Sequence, residues 1–374
     1  MRTFYFRKLQ FAASTIIVAA LALSTQIFAE TFTVFDAPGA GTGPGQGTSA
    51  FNISPNGTIV GFMRDSNAAR HAFIRSKHGD ITVFDAPGAG TGPGQGTRAY
   101  SINSGGTIAG FFTDSGAVGH GYVRSKNGAI TVFDVPGAAT GPGQGTIVFS
   151  PEILNDEGEV AGHYFDAGGA THGFLRDKHG VITTFDAPGA GTGPGQGTVS
   201  YGINQRGEVT GFYFDANNAA HGFFRDKNGT VTSFDVPGSG MAPGQGTLGG
   251  GFSANGTIIG NYYTEDTVSR GFALDKHGVF TTYDTPNAGT GPNQGTHPFG
   301  VSENGIVSGY YIDDAGVSHG FVRRKNGRIV EFDVPGAGTG PGQGAQVFGV
   351  APNGDVAGFI LDENFVFHGF LREK

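Results

Sequence analysis

A unit of about 49 residues is written seven times along this chain, and this recurrence limits the folds that the chain can adopt. The marker Phe/Tyr-Asp-x-Pro returns every 49 residues, apart from one gap of 52. Its aspartates are Asp36, Asp85, Asp134, Asp186, Asp235, Asp284 and Asp333. One unit is too small to bury its own apolar faces, so the copies must stack on one another. The sequence therefore predicts a single domain of seven repeats over residues 30–374.

Residues 1–29 differ in composition from the repeats. Arg2, Arg7 and Lys8 precede an apolar run over residues 11–23, and Ala29 offers a small residue for cleavage. This is the pattern of a secretory signal peptide, with a retained anchor as the alternative. We therefore expect a secreted or periplasmic protein with no membrane span once the signal is removed. The chain has no cysteine, so no disulfide stabilises it.

The charge of the mature chain narrows the choice of partners. Of the 23 Lys and Arg residues, three lie in the signal segment, which leaves 20 against 31 Asp and Glu and a net charge of −11. Nucleic acids and anionic membranes are bound through basic surfaces. The charge balance argues against both as partners.

Each repeat contains four short runs of β-branched and aromatic residues. In the second copy they cover residues 97–103, 107–113, 120–124 and 130–134. Gly, Asn and Asp bound each run, and Asn-Gly or Gly-Gly pairs supply the positive φ angles of tight hairpins. Several runs are apolar on both faces, as in sheets that are covered on both sides. The pattern predicts an all-β domain without helices.

Four-stranded sheets packed face to face around an axis satisfy this pattern, so we predict a seven-bladed β-propeller of antiparallel blades. The repeats begin with a lone fourth strand, Thr31 to Asp36, and end with a third strand, His368 to Arg372. The first can complete the last blade and close the ring, which removes the open edge. A linear β-solenoid is the alternative, but it has no need for this offset. Three extra residues within 150–154 predict a bulge beside the first turn of the third copy.

An eleven-residue glycine-rich loop, for example residues 87–97, connects successive repeats. It contains two prolines and a Gln-Gly pair in every copy. Its glutamines are Gln46, Gln95, Gln144, Gln196, Gln245, Gln294 and Gln343. A structural interpretation makes Pro-Gly a stiff turn and lets the marker aspartates and the glutamines bind loop amides. A functional interpretation makes the glutamines ligand-binding residues at one end of the propeller. A phosphate-binding loop is the third possibility, but a strand follows where such a loop needs a helix.

A histidine precedes Gly/Ala-Phe/Tyr in six copies, and an arginine replaces it in the fifth. These residues are His71, His120, His172, His221, Arg270, His319 and His368. Ligands of one metal must converge, whereas equivalent strands lie apart around a ring. We therefore predict a structural ring of hydrogen-bonded side chains, which Arg270 supports because arginine does not bind metals. No metal or cofactor is predicted.

The turns of each repeat carry opposite charges. The second turns contain Asp65, Asp114, Asp166, Asp215, Asp266, Asp314 and Asp362, which leave calcium as a weak alternative to the absence of a metal. The third turns contain Lys77, Lys126, Lys178, Lys227, Lys276 and Lys325. In an up-and-down blade the second turns share an end with the glycine-rich loops, and the third turns share the other end with the first turns. One end is therefore predicted to be acidic and the other more basic.

The segment His71-Ala72-Phe73 and its His-Gly-Phe/Tyr counterparts, followed by an aliphatic residue and arginine, resemble the bacterial HAF-type extracellular repeat. The pattern in residues 203–211 is similar to the same family. The resemblance covers the seven repeats and implies export and a β-rich repeat structure. It implies no activity and no catalytic residues.

No single repeat carries a nucleophile, base and orienting group that would form an active site. His163 and His297 are the only histidines outside the repeated positions and the lysine turns. The sequence favours an exported, monomeric, non-catalytic binding module that presents repeated sites to a glycan, a cell-wall polymer or a protein, because linked weak sites gain avidity. A hydrolase or lyase with one active site in the central channel is the first alternative, and a purely structural surface protein is the second.

Overall fold

The computed structural model describes residues 30–374, so the predicted signal peptide lies outside the described residues. Within this range the chain forms β-strands joined by turns and contains no helix, so the all-β prediction is confirmed. Residues 30–374 accordingly include no helix with the length and hydrophobicity needed to cross a membrane.

The strands follow one another in groups of four. Group 1 contains β2 (Gly47–Ile53), β3 (Ile59–Arg64), β4 (Arg70–Arg75) and β5 (Ile81–Phe84). Group 2 contains β6 (Gly96–Ile102), β7 (Ile108–Thr113), β8 (Gly119–Arg124) and β9 (Ile130–Phe133). Group 3 contains β10 (Thr146–Ile147), β11 (Val160–Phe165), β12 (Thr171–Arg176) and β13 (Ile182–Phe185). Group 4 contains β14 (Gly197–Ile203), β15 (Val209–Phe214), β16 (Ala220–Arg225) and β17 (Val231–Phe234).

The remaining strands continue this order to the end of the chain. Group 5 contains β18 (Gly246–Phe252), β19 (Ile258–Tyr263), β20 (Ser269–Leu274) and β21 (Phe280–Tyr283). Group 6 contains β22 (Gly295–Val301), β23 (Val307–Ile312), β24 (Ser318–Arg323) and β25 (Ile329–Phe332). Group 7 contains β26 (Gly344–Val350), β27 (Val356–Leu361), β28 (Phe367–Glu373) and, from the other end of the chain, β1 (Thr31–Phe35).

Consecutive strands of a group pair antiparallel, and neighbouring groups are joined by one parallel pair. In group 1 the first strand pairs with the second, the second with the third and the third with the fourth. Arg70 of group 1 then pairs with Gly96, which opens group 2. A Cβ at Gly96 would lie 2.0 Å from the carbonyl oxygen of Arg70, and the residue has φ +100°. Only glycine fits there, which explains why the second residue of Gln-Gly is the same in every repeat.

The N-terminal strand completes the last group. Phe32 of β1 lies opposite Arg372 of β28, and Phe35 lies opposite Gly369. β28 is also joined to group 1 by a parallel pair with Gly47. The predicted pairing of the first strand with the last is confirmed, and it covers two strand edges that would otherwise be free.

The strands differ in burial according to their place in the group. The first strands, such as β2 and β6, are buried along their whole length, while the fourth strands are largely half-buried or exposed. First strands of neighbouring groups also contact one another. The first strands therefore surround a central axis, and the fourth strands lie at the outside.

Glycines in the second and third strands make room for aromatic rings of the next strand. A Cβ at Gly211 would lie 2.9 Å from the ring of Phe223, and a Cβ at Gly222 would lie 2.3 Å from the ring of Phe234. The third-strand ring is fully buried in every group, at Phe73, Tyr122, Phe174, Phe223, Phe272, Phe321 and Phe370. The His-Gly-Phe motif is thus a packing unit, because its glycine receives one ring and its own ring covers another glycine.

The arginine that follows this motif connects neighbouring groups. The guanidinium of Arg225 lies 5.1 Å from the ring centre of Phe185 in the preceding group. Arg75 lies 4.9 Å from the ring centre of Phe35, so the same contact is made across the two ends of the chain. Cation–π contacts of this kind add to the apolar packing between groups.

The insertion in group 3 interrupts the first strand at the place where the bulge is predicted. The strand ends after Ile147, and the chain returns to the sheet at Leu154, which bridges to Val160 of β11. The carbonyl of Pro151 accepts hydrogen bonds from Asn52 of group 1 and from Ser101 of group 2, the latter at 2.7 Å. The inserted segment therefore extends across the axis instead of remaining in its own group.

Glu152 makes contacts on the far side of the axis. The N–H of Ile203 in group 4 donates to its carbonyl at 2.8 Å, and the N–H of Val301 in group 6 donates to its carboxylate at 3.3 Å. A Cβ at Gly251 of group 5 would lie 2.8 Å from the Glu152 side chain. Pro151 and Glu152 together contact five groups and close the axis where the first strands end.

We predict that Phe35→Ala lowers the free energy of unfolding by about 3 kcal/mol, because it removes a half-buried ring that covers Gly369 and supports Arg75. Val34→Ala, at a neighbouring exposed position of the same strand, is the control and should cost less than about 1 kcal/mol. Urea denaturation measures both. Equal losses from the two variants would show that β1 does not hold the ring together.

We also predict that Glu152→Gln becomes stabilising as the pH rises. Burial raises the pKa of Glu152 to about 7, against the hydrogen bond from Val301 that lowers it. A carboxyl with a raised pKa destabilises the folded state as the pH increases from its unfolded value of 4.5 to about 7. Relative to wild type, the variant should gain about 1–2 kcal/mol between pH 5 and pH 8. A pH-independent difference would contradict this prediction.

Candidate functional site

The two ends of the strands carry different connections. Gly47, the first residue of β2, pairs with Arg64, the last residue of β3, so the glycine-rich loops and the second turns lie at one end, the loop end. The first and third turns lie at the opposite end, the turn end, where Lys178 Nζ is 3.2 Å from the carboxylate of Glu157. The lysine turns are therefore separated from the glycine-rich loops, as the sequence predicts.

The predicted glutamines use both polar ends of their side chains within the protein. Gln95 Oε1 accepts the N–H of Gly92 at 2.9 Å, and its Nε2 donates to the carbonyl of Ser115 at 3.1 Å. The same two bonds recur at Gln46, Gln144, Gln196, Gln245, Gln294 and Gln343. These bonds tie each loop to the second turn beside it, and the ligand-binding role of the glutamines stays a prediction.

A threonine that the sequence-based predictions omitted holds the start of the loop. Thr97 Oγ1 accepts the N–H of Ala86, the residue after the marker aspartate Asp85, at 2.9 Å. The equivalent acceptors are Thr48, Thr146, Thr198, Thr247 and Thr296. This threonine follows Gln-Gly in six copies, and that constancy was the available signal.

The marker aspartates bind the motif histidines, which corrects the prediction that they pin loop amides. His120 Nδ1 lies 3.0 Å from Asp134, and its Nε2 lies 3.5 Å from Asp114 of the second turn. Six histidines, His71, His120, His172, His221, His319 and His368, pair in this way with Asp85, Asp134, Asp186, Asp235, Asp333 and Asp36. The pair of His368 with Asp36 joins the two ends of the chain.

The fifth group replaces this cluster by a single ion pair. Arg270 stands at the position of the histidine and lies 2.8 Å from Asp284. Thr264 stands at the position of the second-turn aspartate, so only one carboxylate is present. The side chains at this position thus form a structural unit within each group.

Two second turns differ from the others in the position of their aspartate. Asp313, not Asp314, contacts His319 at 3.3 Å, and Asp266 lies beyond the equivalent position in its turn. In group 1 the Oδ1 of Asp65 accepts N–H groups of its own turn. No group of three or more His, Asp or Glu side chains able to hold a metal ion occurs among residues 30–374, and the calcium alternative stays untested.

A row of aromatic side chains surrounds the central axis, and one member is missing. The fifth position of the first strands carries Phe51, Tyr100, Phe149, Tyr201, Gly250, Phe299 and Phe348. The ring centres of Tyr100 and Phe149 are 4.7 Å apart, and those of Phe299 and Phe348 are 4.8 Å apart. Gly250 interrupts the row between groups 4 and 6.

A cavity of about 400 Å³ lies at this interruption. Tyr201, Phe299 and Tyr310 line it with aromatic surface, and Asn261 and His297 add polar groups. It extends to Asn293 of a glycine-rich loop, which places it at the loop end. The cavity therefore lies where the aromatic row is interrupted.

His297 is the polar group of this cavity with unused hydrogen-bonding capacity. Its ring stacks on Tyr310 with centres 5.0 Å apart, and its buried Nε2 has no hydrogen-bond partner among the described residues. Burial lowers the pKa of His297 to about 4, so the imidazole is neutral at pH 7. His163, the other histidine outside the motif, is also buried, and burial lowers its pKa to about 4.

A second cavity, of about 470 Å³, lies at the loop end between groups 1, 2 and 3. Arg70, Arg98 and Phe111 line it, together with the predicted glutamines Gln95 and Gln144. The two cavities share no lining residue.

Both cavities are built from positions that differ between repeats. The third residue of the first strand is Ser49, Arg98, Ile147, Val199, Leu248, His297 or Gln346. The last residue of the second strand is Arg64, Thr113, Phe165, Phe214, Tyr263, Ile312 or Leu361. Sequence reasoning followed the constant positions and so missed these residues, although their divergence at a buried position was visible.

Comparison with known proteins gives the fold. No protein-family model and no curated protein matches the chain. Among solved structures, the BP39L lectin from Burkholderia pseudomallei matches with a TM-score of 0.54 at 13% identity, over 86% of this chain and 93% of the lectin. A prolyl endopeptidase matches with a TM-score of 0.52 at 13% identity, over 87% of this chain and 46% of the peptidase.

A puromycin hydrolase also matches, with a TM-score of 0.47 at 12% identity over 87% of this chain. The chain spans about half the length of the hydrolase, 52%, so no activity follows from that likeness. At these identities the lectin and the prolyl endopeptidase, with TM-scores above 0.5, show a propeller-like, all-β fold and nothing about function.

We predict that the histidine clusters stabilise the fold in a pH-dependent way. Burial lowers the pKa of His319, but the hydrogen bonds and charges of Asp333 and Asp313 outweigh it and raise the pKa above 6.5. A raised pKa gives stability that is complete below about pH 6.5 and is lost as the pH rises through the folded value. His319→Gln should therefore lose about 0.5–1 kcal/mol relative to wild type at pH 6 and less at pH 9.

Arg270→Gln is the matched control for this prediction, because an arginine keeps its charge over the whole range. Its loss of stability should be the same at pH 6 and pH 9. Urea denaturation at the two pH values measures both variants, and a His319→Gln loss that grows with pH would contradict the assignment.

Proposed function

We propose that this protein is an exported, non-catalytic binding module that holds a glycan at the loop end of its central axis. The cavity at Gly250 is the observation that carries this proposal. Its walls are aromatic, and its polar groups are uncharged. Aromatic faces pack against the C–H faces of sugar rings, while a few well-placed polar groups fix the orientation of a ligand.

The polar groups of the cavity suit hydroxyl groups. A neutral imidazole offers one donor and one acceptor, and the buried Nε2 of His297 has no hydrogen-bond partner among the described residues. Asn261 lies on the neighbouring second strand and uses its Nδ2 toward Ser269 at 3.0 Å. A sugar hydroxyl both donates and accepts, so it can satisfy the nitrogen that the protein leaves without a partner.

The proposal includes the finer form of the fold. We infer seven blades, because the strands pair in fours that follow the seven repeats and the first strands meet around one axis. Secretion, and membership of the HAF-type repeat family, rest on the sequence pattern. BP39L is itself a lectin, but its likeness to this chain is one of fold.

A lyase with its site in the same channel is the second candidate. The residues around the cavity occur once, as a single active site requires, and a neutral imidazole such as His297 can accept a proton. Appearance of an unsaturated sugar product, followed by its ultraviolet absorbance, would favour this candidate over simple binding.

We predict that the protein is retained on a polysaccharide and that two substitutions weaken retention. Asn261→Phe introduces the residue found at Phe62, Phe111, Phe212 and Phe359 and fills the cavity, whereas His297→Leu removes the free nitrogen. Each should weaken binding at least about tenfold, the cost of one or two hydrogen bonds. Affinity chromatography over a panel of polysaccharides and calorimetry measure the effect.

Lys276→Glu, in the third turn of the same repeat, is the control. It lies at the turn end and should leave the affinity within about twofold, since exposed rim charges contribute little. Wild-type protein that is retained on no polysaccharide, or Asn261→Phe that binds as well as wild type, would contradict the proposed function.

A further inference from the structure

Three arginines lie together at the loop end of groups 1 and 2. Arg64 ends β3 and Arg70 begins β4, and the two residues are directly opposite each other in the sheet. Arg98 is in the first strand of group 2. The guanidinium groups of Arg70 and Arg98 both donate to the carbonyl of Gly94, so two positive charges meet there. Arg64 lies beside them and donates to the hydroxyl of Ser49 at 3.1 Å.

These charges have no counter-charge in the protein. Within residues 30–374 no carboxylate oxygen lies within 4.0 Å of the three guanidinium groups. The arginines that do pair with a carboxylate are Arg206, Arg270 and Arg372. The nearest acids along the chain, Asp65 and Asp114, face motif histidines at 3.7 and 3.5 Å.

Burial makes the charges of these arginines unfavourable in the protein without a ligand. Arg98 is only 8% exposed. Burial lowers the pKa of Arg98 to about 10, and burial with the neighbouring charge of Arg70 lowers the pKa of Arg64 to about 10. Like charges that face each other across a sheet are destabilising, and buried charges normally have a partner. The chain has an excess of acids, yet none is placed here.

The fold does not require arginine at these positions. The residues aligned with Arg70 are Gly119, Thr171, Ala220, Ser269, Ser318 and Phe367. The residues aligned with Arg64 and Arg98 in the other groups carry no charge either. One of them is His297, whose imidazole is neutral at pH 7. Six groups fold with other side chains at the place of Arg70, so packing does not account for the cluster.

Arg70 and Arg98 line the cavity of about 470 Å³ at the loop end, whereas Arg64 lies behind them and does not line it. Arg98 lies 4.6 Å from the ring centre of Phe111, a contact that holds its guanidinium plane in place. Arg70 Nε is buried without a hydrogen-bond partner among the described residues. Oriented guanidinium groups with free N–H donors are suited to the paired oxygens of a carboxylate or sulfate.

We propose that Arg70 and Arg98, with the positive charge of Arg64 beside them, form an oxyanion site that binds the carboxylate or sulfate group of an acidic glycan. The glycan part of this inference rests on the proposed function, whereas the oxyanion site rests on the arginines alone. A ligand of this class supplies the counter-charge that the protein lacks. The acidic remainder of the protein repels such a ligand, which confines strong binding to this site.

The first experiment compares charged and uncharged forms of one ligand. Calorimetry is performed with oligogalacturonate, its methyl ester and a sulfated galactan. At least one charged ligand should bind more than about tenfold tighter than the ester, and its affinity should fall with added salt. The two charged ligands distinguish a carboxylate from a sulfate as the bound group.

The second experiment uses substitutions taken from other repeats. Arg70→Ser and Arg98→Val introduce the residues of Ser269 and Val199, and each should lower the affinity for the charged ligand at least about tenfold. The midpoint of unfolding without ligand should stay the same or rise, because repulsion is relieved. Arg206→Ser, which removes one positive charge at a first turn, should leave the affinity within about twofold.

The outcomes separate this inference from the proposed function. Equal binding of oligogalacturonate and its ester, or an affinity unchanged by Arg70→Ser, overturns the oxyanion site while leaving neutral glycan binding in place. A large drop in the unfolding midpoint for both arginine variants also overturns it, because the arginines would then be structural. Arginine-dependent stabilisation by sodium sulfate, with no polysaccharide retained, supports the site and contradicts the glycan-binding function.

Discussion

The contact on which this structure depends is an aromatic ring of one strand placed over a glycine of the next. Group 4 makes it twice, by Phe223 over Gly211 and Phe234 over Gly222, whereas group 1 has Ala72 in place of the second glycine. A buried ring of this size contributes about 2–3 kcal/mol, and the glycine beneath it lets the ring lie flat against the backbone. At Gly222, where a Cβ would lie 2.3 Å from the ring of Phe234, a side chain would displace the ring. The recurrence of Gly/Ala-Phe/Tyr across the repeats follows from this packing and requires no ligand.

Each group also packs on its neighbours, and the last group is joined to the first by the same kinds of contact. The arginine after the motif stacks on a ring of the preceding group, and Arg75 finds that ring in Phe35 of the N-terminal strand. The motif histidine makes a second connection between the ends, since His368 contacts Asp36 at 2.9 Å. Packing, hydrogen bonding and charge thus join the same two segments.

The sequence predicted the strands, the grouping in fours and the joining of the ends, because these follow from the period and from the lone strands at the two termini. It did not predict the partners of polar side chains. His120 and Asp134 are 14 residues apart and meet only when the third and fourth strands pair in register. The crossing of the axis by Pro151 and Glu152 depends on the free space between first strands, which no local pattern encodes.

The residues of the two candidate sites were not predicted from the sequence, for a different physical reason. Positions that hold the scaffold together tolerate little change and produce the visible motif, whereas residues that line the axis at the loop end can differ from group to group. Arg98 and His297 occupy the same position in two repeats and give two cavities of opposite character. The divergence of a buried position, more than the constancy of a surface loop, indicated where this protein differs from a simple repeat.

In this protein, repeated residues form the scaffold, and unrepeated residues at the loop end form the proposed binding sites. A crystal structure with a bound acidic oligosaccharide tests this separation most directly. We predict one ligand at the loop end of the axis, with its charged group on Arg70 and Arg98. Electron density at equivalent places on several groups, beside Gln95 and its counterparts, would contradict the account.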